Sequence, residues 1–133
     1  MAISGAAINH PVVRRFFEAF ETDADAFRQT LDPEIVWYPI EANRSPERGI
    51  NAAMRDRQDW IDTWDEHEFE IEEVIENGDD LVIALHITGR GRSSGATVDE
   101  RFYPHIRVHN GKIVYIYDHE TRAEALDAAG LTG

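Results

Sequence analysis

Two hydrophobic periods divide this chain. In the first half, Val13, Phe16, Phe17 and Phe20 fall at i, i+3, i+4 and i+7, one apolar stripe behind the helix-opening Asn9-His10-Pro11. Asp23 is placed to cap a second short helix with Ala24, Phe27 and Leu31 inward, stopped by Asp32-Pro33. The β-branched and aromatic "EIVWY" (34–38) predicts a short strand, and "PIEANRSPERG" (39–49) a loop. A third helix follows, with Ile50, Met54, Ile61 and Trp64 on one face and Trp60 beside them.

The second half changes period. Alternation predicts strands at about 67–77, 80–92, 97–109 and 112–120, separated by Asn77-Gly78, Ser93-Ser94-Gly95 and Asn110-Gly111. A last helix starts at the capping box Thr121–Glu124 and ends near Gly130. Helices followed by an antiparallel meander predict an α+β fold, in one domain spanning residues 1–133.

The turns also predict a register. A two-residue Asn110-Gly111 turn pairs Val108 with Ile113 and Tyr103 with Asp118; a two-residue Ser94-Gly95 turn pairs Ile87 with Phe102 and His86 with Tyr103. Leu81, Ile83, Leu85, Ile87, Phe102, Pro104, Ile106, Val108, Ile113, Tyr115 and Tyr117 then share the core side. His86, Tyr103 and Asp118 form a row on the other, and Arg90 meets Asp99. That row is either a proton-transfer set or an ordinary amphipathic outer face. One β-bulge would exchange the faces beyond it, bringing Asp118 under the helices and turning Tyr117 and His119 out.

Charge narrows the partners. The formal net charge is −13, and residues 62–80 hold ten carboxylates with no Lys or Arg, a field that repels phosphate backbones and argues against nucleic acid. In that run Glu68, Glu70 and Glu72 alternate with Phe69 and Ile71, as on a half-exposed strand. There is no cysteine, no apolar run of membrane-spanning length and no N-terminal apolar leader, so the expectation is a cytoplasmic protein without membrane contact. His105 and His109 sit at a helical ligand spacing on a strand and His67 stands alone, so no metal site is expected. "GRGR" (89–92) lacks a strand–loop–helix context and reads as a hairpin arm.

The order and spacing of "VVRRFFEAF", "EIVWYP", "RGINAAMRDRQDWIDTW", "VIENGDDLVIALHITGRGRSSG", "HNGKIVYIYDHE" and "AEALDAAGL" resemble the SnoaL-like family of the nuclear transport factor 2-like superfamily, over about residues 8–131. The resemblance implies a cone-shaped α+β barrel: three N-terminal helices packed in a strongly curved sheet around an apolar pocket, with homodimerisation through the sheet. It also implies polyketide-cyclase, steroid-isomerase or epoxide-hydrolase chemistry, or none. Asp118 is similar in position to the last-strand aspartate that serves such members as acid or base. Where steroid isomerases carry an oxyanion-donating tyrosine on the first helix, this chain has Phe16, Phe17 and Phe20. The Arg-x-Asp pair of epoxide hydrolases is missing from "LVIALHITGR", which offers only His86.

The expected site therefore comprises Asp118, with His86 and Tyr103 as proton-holding or hydrogen-bonding partners. Its pocket is walled by Trp37, Tyr38, Trp60, Trp64, Phe102, Tyr117 and His119. Two functions stand. One is a cofactor-independent isomerase, cyclase or hydrolase acting on a small hydrophobic carbonyl or epoxide compound through Asp118. The other is a non-catalytic binding protein for a small hydrophobic molecule.

Overall fold

The computed structural model describes residues 3–39 and 45–131. In chain order it contains β1 (Ile3–Gly5), α1 (Pro11–Ala19), α2 (Ala24–Gln29), β2 (Leu31–Tyr38), β3 (Glu47–Arg48), α3 (Ile50–Thr63), β4 (Trp64–Asn77), β5 (Asp80–Gly91), β6 (Thr97–His109), β7 (Lys112–His119) and α4 (Arg122–Ala128). The caps are those the sequence offers. The Asp23 carboxylate accepts from the Ala26 amide at 3.1 Å, and the Thr121 hydroxyl from the Glu124 amide at 3.2 Å. Periodicity did not reveal β1 and β3, both very short. Residues 40–44 of the expected loop lie outside the described residues.

All seven strands join one curled, unclosed sheet in the order β1-β4-β5-β6-β7-β2-β3. β1 lies parallel to β4 and β2 parallel to β7; the other neighbours are antiparallel. On one face, Val13, Phe16, Phe17, Phe20 and Phe27 from α1 and α2 pack with Leu81, Ile83, Leu85, Ile87, Ile106, Ile113 and Ile116. Fully buried side chains such as Phe27, Ile83 and Ile106 each contribute about 1.5–3 kcal/mol by leaving water. The expected α3 stripe packs on the core, with Ile50, Met54, Trp60 and Ile61 half-buried against it, while the fully buried positions of the helix are Ala52, Ala53 and Arg57 and Trp64 already belongs to β4. Arg57 is held inside by its Nε, which donates to the Phe20 carbonyl at 2.6 Å, and by its guanidinium lying over the Phe27 ring. On the opposite face α4 docks through Ala125 and Leu126 onto Val82 and Tyr103. No described helix is long and apolar enough to cross a membrane.

Register decides what faces inward, and two expectations are corrected. The β5–β6 connection is a four-residue turn between Gly91 and Ala96, so Leu85 pairs with Phe102 and His86 with Arg101. The shift is by two residues and leaves every face as expected, but Arg90 now opposes Thr97 and forms its ion pair with Asp65 at 2.9 Å instead of Asp99.

The second correction exchanges faces. The Asn110-Gly111 turn, with positive φ at both residues, starts the β6–β7 pairing as predicted, His109 with Lys112 and Val108 with Ile113. Arg107 then pairs with Tyr115, leaving Val114 as one extra residue in β7. At that point the Ile113 amide donates to the Thr30 carbonyl at 2.8 Å, where β2 joins the sheet. Beyond the bulge Asp118 opposes Pro104 and Tyr103 opposes His119. Tyr115 and Tyr117 leave the core face; Ile116 and Asp118 enter it.

Gly89 allows β4 to lie close against β5. A Cβ there would sit 2.7 Å from the Glu66 carbonyl oxygen and 2.7 Å from the His67 Cβ. Gly89→Ala is therefore expected to destabilise the protein by about 1–3 kcal/mol, read as a lower urea midpoint with an unchanged m-value.

Candidate functional site

A cavity of about 100 Å³ lies between α1, α3 and the inner face of the sheet. Phe16, Phe17 and Phe20 line it from α1, Phe69 and Leu85 from β4 and β5, and Phe102, Pro104 and Ile106 from β6. Trp37 and Pro39 close the end of β2, and β7 contributes Ile116 and Asp118. From α3 come Asp56, Asp59, Trp60 and Thr63, spaced i, i+3, i+4 and i+7, hence one helix face. Asp59 is solvent-exposed, so the cavity opens beside it.

Asp118 sits on the sheet wall of this cavity because the Val114 bulge turned it there. Trp37 pairs with Ile116 in the parallel β2–β7 ladder, which puts its indole diagonally beside Asp118 on the same face. Its Nε1 donates to Oδ2 of Asp118 at 3.1 Å, and no described residue bonds Oδ1. Burial is the largest influence on this carboxyl and raises its pKa to about 7. The Trp37 hydrogen bond opposes the rise, and the negative charge of Asp56 adds to it. A carboxyl that exchanges its proton near neutrality, with one oxygen tethered and the other bonded to no described residue, has the chemistry of a candidate general acid/base.

The remaining expected residues divide between the two faces. Trp37, Trp60 and Phe102 line the cavity, whereas Tyr38, Trp64, Tyr117 and His119 do not. Trp64 packs behind Trp60 with ring centroids 5.4 Å apart. Tyr117 and His119, turned outward by the bulge, stack on each other at 4.2 Å, and Tyr38 stacks on Tyr117 at 5.1 Å. His86 and Tyr103 do not meet Asp118. Tyr103 packs under α4, and the His86 Nε2 lies 2.6 Å from the Asp99 carboxylate on the outer face.

Glu70, Glu72 and His86 bring ligand atoms within 4.8 Å of one another on that outer face. Arg101 already holds Glu72 through two hydrogen bonds of 2.9 and 3.2 Å, and the cluster is an ion-pair network. Asp56 and Asp59 escaped the sequence reading, which followed only the apolar stripe of this helix. Their spacing with Trp60 was the available signal.

The family model for the SnoaL-like domain matches residues 13–116. The chain belongs to the SnoaL-like family. This SnoaL-like chain also resembles solved structures throughout its length. A protein from Jannaschia sp. CCS1 described as a SnoaL-like polyketide cyclase is 19% identical, with a TM-score of 0.74 over 92% of this chain and 91% of its own. An NTF2-like protein of unknown function from Burkholderia pseudomallei K96243 is 21% identical, with a TM-score of 0.73 over 93% of this chain and 98% of its own. TerC, co-crystallised with polyporic acid, is 15% identical, with a TM-score of 0.70 over 90% of this chain and 95% of its own. These likenesses are of fold: the SnoaL-like chain is a cone-shaped α+β protein with helices set into a curled sheet. No curated protein sequence matches it.

The raised pKa of Asp118 has a sign that stability measurements can read. The folded state binds this proton more tightly than the unfolded chain does. The resulting cost is absent below about pH 4, grows as pH rises, and is complete above about pH 7. Asp118→Asn, which keeps an acceptor for Trp37, is therefore expected to stabilise the protein by on the order of 2–4 kcal/mol at pH 8 and by almost nothing at pH 4. Urea unfolding of both proteins across this range checks it; a constant difference would refute the assignment.

Proposed function

We propose that this protein is a small cofactor-independent enzyme of isomerase, cyclase or hydrolase type, with Asp118 as general acid/base toward a small hydrophobic carbonyl or epoxide compound. The observation that carries this reading is Asp118 itself: a carboxyl with a pKa of about 7 on the wall of an aromatic cavity, one of its oxygens bonded to no described residue. As the carboxylate, its Oδ1 takes a proton from the carbon next to a carbonyl, and the same oxygen returns that proton to another carbon or oxygen. As the acid, it gives its proton to an epoxide or carbonyl oxygen while an enol carbon or water attacks, and the carboxylate left behind takes up the proton that the nucleophile releases. Trp37 fixes the carboxyl plane in both directions, and the aromatic walls keep bulk water from competing for the proton. His86 and Tyr103, on the outer face, have no part in this step. The fold of TerC, seen with polyporic acid, supports a small organic ligand in such a cone.

The test is solvent-deuterium exchange into the α-carbons of small cyclic ketones, followed by proton NMR. The wild type is expected to accelerate exchange, with a rate that rises with pH through about 7 as the carboxylate forms. Asp118→Asn is expected to lose about 10²–10⁴-fold of that acceleration. Equal rates in the two proteins would remove Asp118 from the chemistry.

The second reading, a non-catalytic binding protein that dimerises through its sheet, is favoured by the outward aromatic ladder of Tyr38, Tyr115 and Tyr117 beside Arg107. If that ladder is a dimer contact, Tyr117→Arg will elute as a monomer in size exclusion while the wild type elutes as a dimer.

A further inference from the structure

Taking a proton from carbon leaves an electron pair behind, and a hydrogen-bond donor must hold it. No tyrosine on α1 offers one, because Phe16, Phe17 and Phe20 line the cavity there. Among the described lining residues, Trp37, Trp60 and Thr63 carry a permanent side-chain N–H or O–H. Two of these are taken up by the protein. Trp37 donates to Asp118 at 3.1 Å, and the Thr63 hydroxyl donates to the Asp59 carbonyl at 2.7 Å. The Trp60 Nε1 is buried and bonded to no described residue. A buried N–H without an acceptor is costly and rare in folded proteins. Packing keeps the indole from turning to find one. Phe69 stacks on it at 6.0 Å and 9°, Trp64 meets it edge-on at 5.4 Å, and Phe102 lies 6.1 Å away. Trp64 also has an unpartnered Nε1, but it packs behind Trp60 and does not line the cavity, so it serves as an internal control.

We infer that the Trp60 Nε1–H donates to the carbonyl oxygen of the substrate while Asp118 works on the carbon beside that carbonyl, so that the site takes a small ketone in preference to an epoxide. The inference rests on the acid/base reading of Asp118. As Oδ1 takes the α-proton, the C–H bond breaks and its electrons form a carbon–carbon double bond. The carbonyl π pair moves onto oxygen, where the indole N–H meets it; return of the proton to carbon reverses each movement. Trp60 belongs to α3 and Asp118 to the sheet wall, so the two groups suit two different atoms of one molecule. An epoxide offers a single oxygen, and a protonated Asp118 already supplies the donor it needs. No Lys, Arg or His is among the described lining residues, so a carboxylate or phosphate finds no counter-charge and the oxygen brought to Trp60 is a neutral one. The cavity volume of about 100 Å³ limits the buried part to about one small ring, since a closed cavity of about 150 Å³ is known to hold benzene.

The chain has three tryptophans, hence three indole N–H signals in the proton NMR spectrum of the intact protein. The single variants Trp37→Phe, Trp60→Phe and Trp64→Phe assign them, and any two of the three suffice. Cyclohexanone and methylenecyclohexane are the probes, alike in shape and different in the acceptor oxygen. Cyclohexanone is expected to move the Trp60 indole proton downfield and to leave that of Trp64 in place, and methylenecyclohexane to move neither downfield. In the deuterium-exchange assay, Trp60→Phe keeps an aromatic ring against Phe69 and is expected to lose about 10²-fold of the acceleration. Its pH midpoint is expected to stay near 7, because Asp118 is untouched. The proposal is overturned by no downfield movement of the Trp60 signal with cyclohexanone up to its solubility limit, by an equal movement with methylenecyclohexane, or by undiminished exchange or a displaced midpoint in Trp60→Phe.

Its failure is separable from that of the acid/base reading, because the indole signals report binding without turnover. A Trp60 shift alongside unimpaired exchange in Asp118→Asn sinks only the catalytic role of Asp118. Loss of exchange in that variant with an unmoved Trp60 signal sinks only the indole donor.

Discussion

Side chains on a strand alternate between two faces, so a single unpaired residue reverses the destiny of everything after it. In this protein that residue is Val114. Without it, Asp118 would lie outside with Tyr103, and the cavity would be walled on the β7 side by tyrosine. With it, Ile116 completes the core and Asp118 reaches the cavity, while Tyr115, Tyr117 and His119 turn to the opposite face of the sheet, where His119 is still buried. The bulge sits where β2 joins β7 in parallel, next to Ile113, whose amide donates to the Thr30 carbonyl. The same parallel pairing delivers Trp37 to Asp118. One local irregularity thus places both the acid and its tether.

Keeping a carboxyl in such surroundings is costly, and three features make it tolerable. The group can hold its proton near neutrality, so it need not carry a full charge. The Trp37 indole satisfies one oxygen, and the cavity leaves the other open to a solvent molecule or ligand. Around it, the helices and sheet are locked by aromatic packing: Phe16 and Phe27 lie 4.7 Å apart between ring centroids, and Trp60 stacks on Phe69 at 6.0 Å. Large rigid rings meeting at varied angles hold a space open that flexible aliphatic side chains would fill.

The acidic run behaves quite differently. Glu72 pairs with Arg101, Glu73 with Arg122, Asp65 with Arg90 and Asp80 with both His105 and Arg107, all across strands or between sheet and helix. The exposed arginine pairs contribute little individually, whereas the His105 that meets Asp80 is buried. The pairs distribute the arginines over the outer face of the sheet.

By itself the sequence determined the kind and order of the elements. Helical spacing in Val13–Phe20, alternation from Glu68 onward, the Asp23 and Thr121 caps and the Asn110-Gly111 turn are all local, and each appears as read. The α+β class and the SnoaL-like family followed from that order. Asp118 was visible as a candidate, because a carboxylate closing an apolar strand is itself a local signal. Its direction was not. That depended on whether β7 carried an extra residue, and the extra residue lies where β7 meets Leu31 and Thr30, more than eighty positions away, across a parallel pairing that no local pattern encodes. Only the tertiary structure separated His86 and Tyr103 from Asp118, and only it brought Asp56 and Asp59 of α3 to the cavity that Asp118 lines. Period determines which residues share a face; packing between distant segments decides which faces meet.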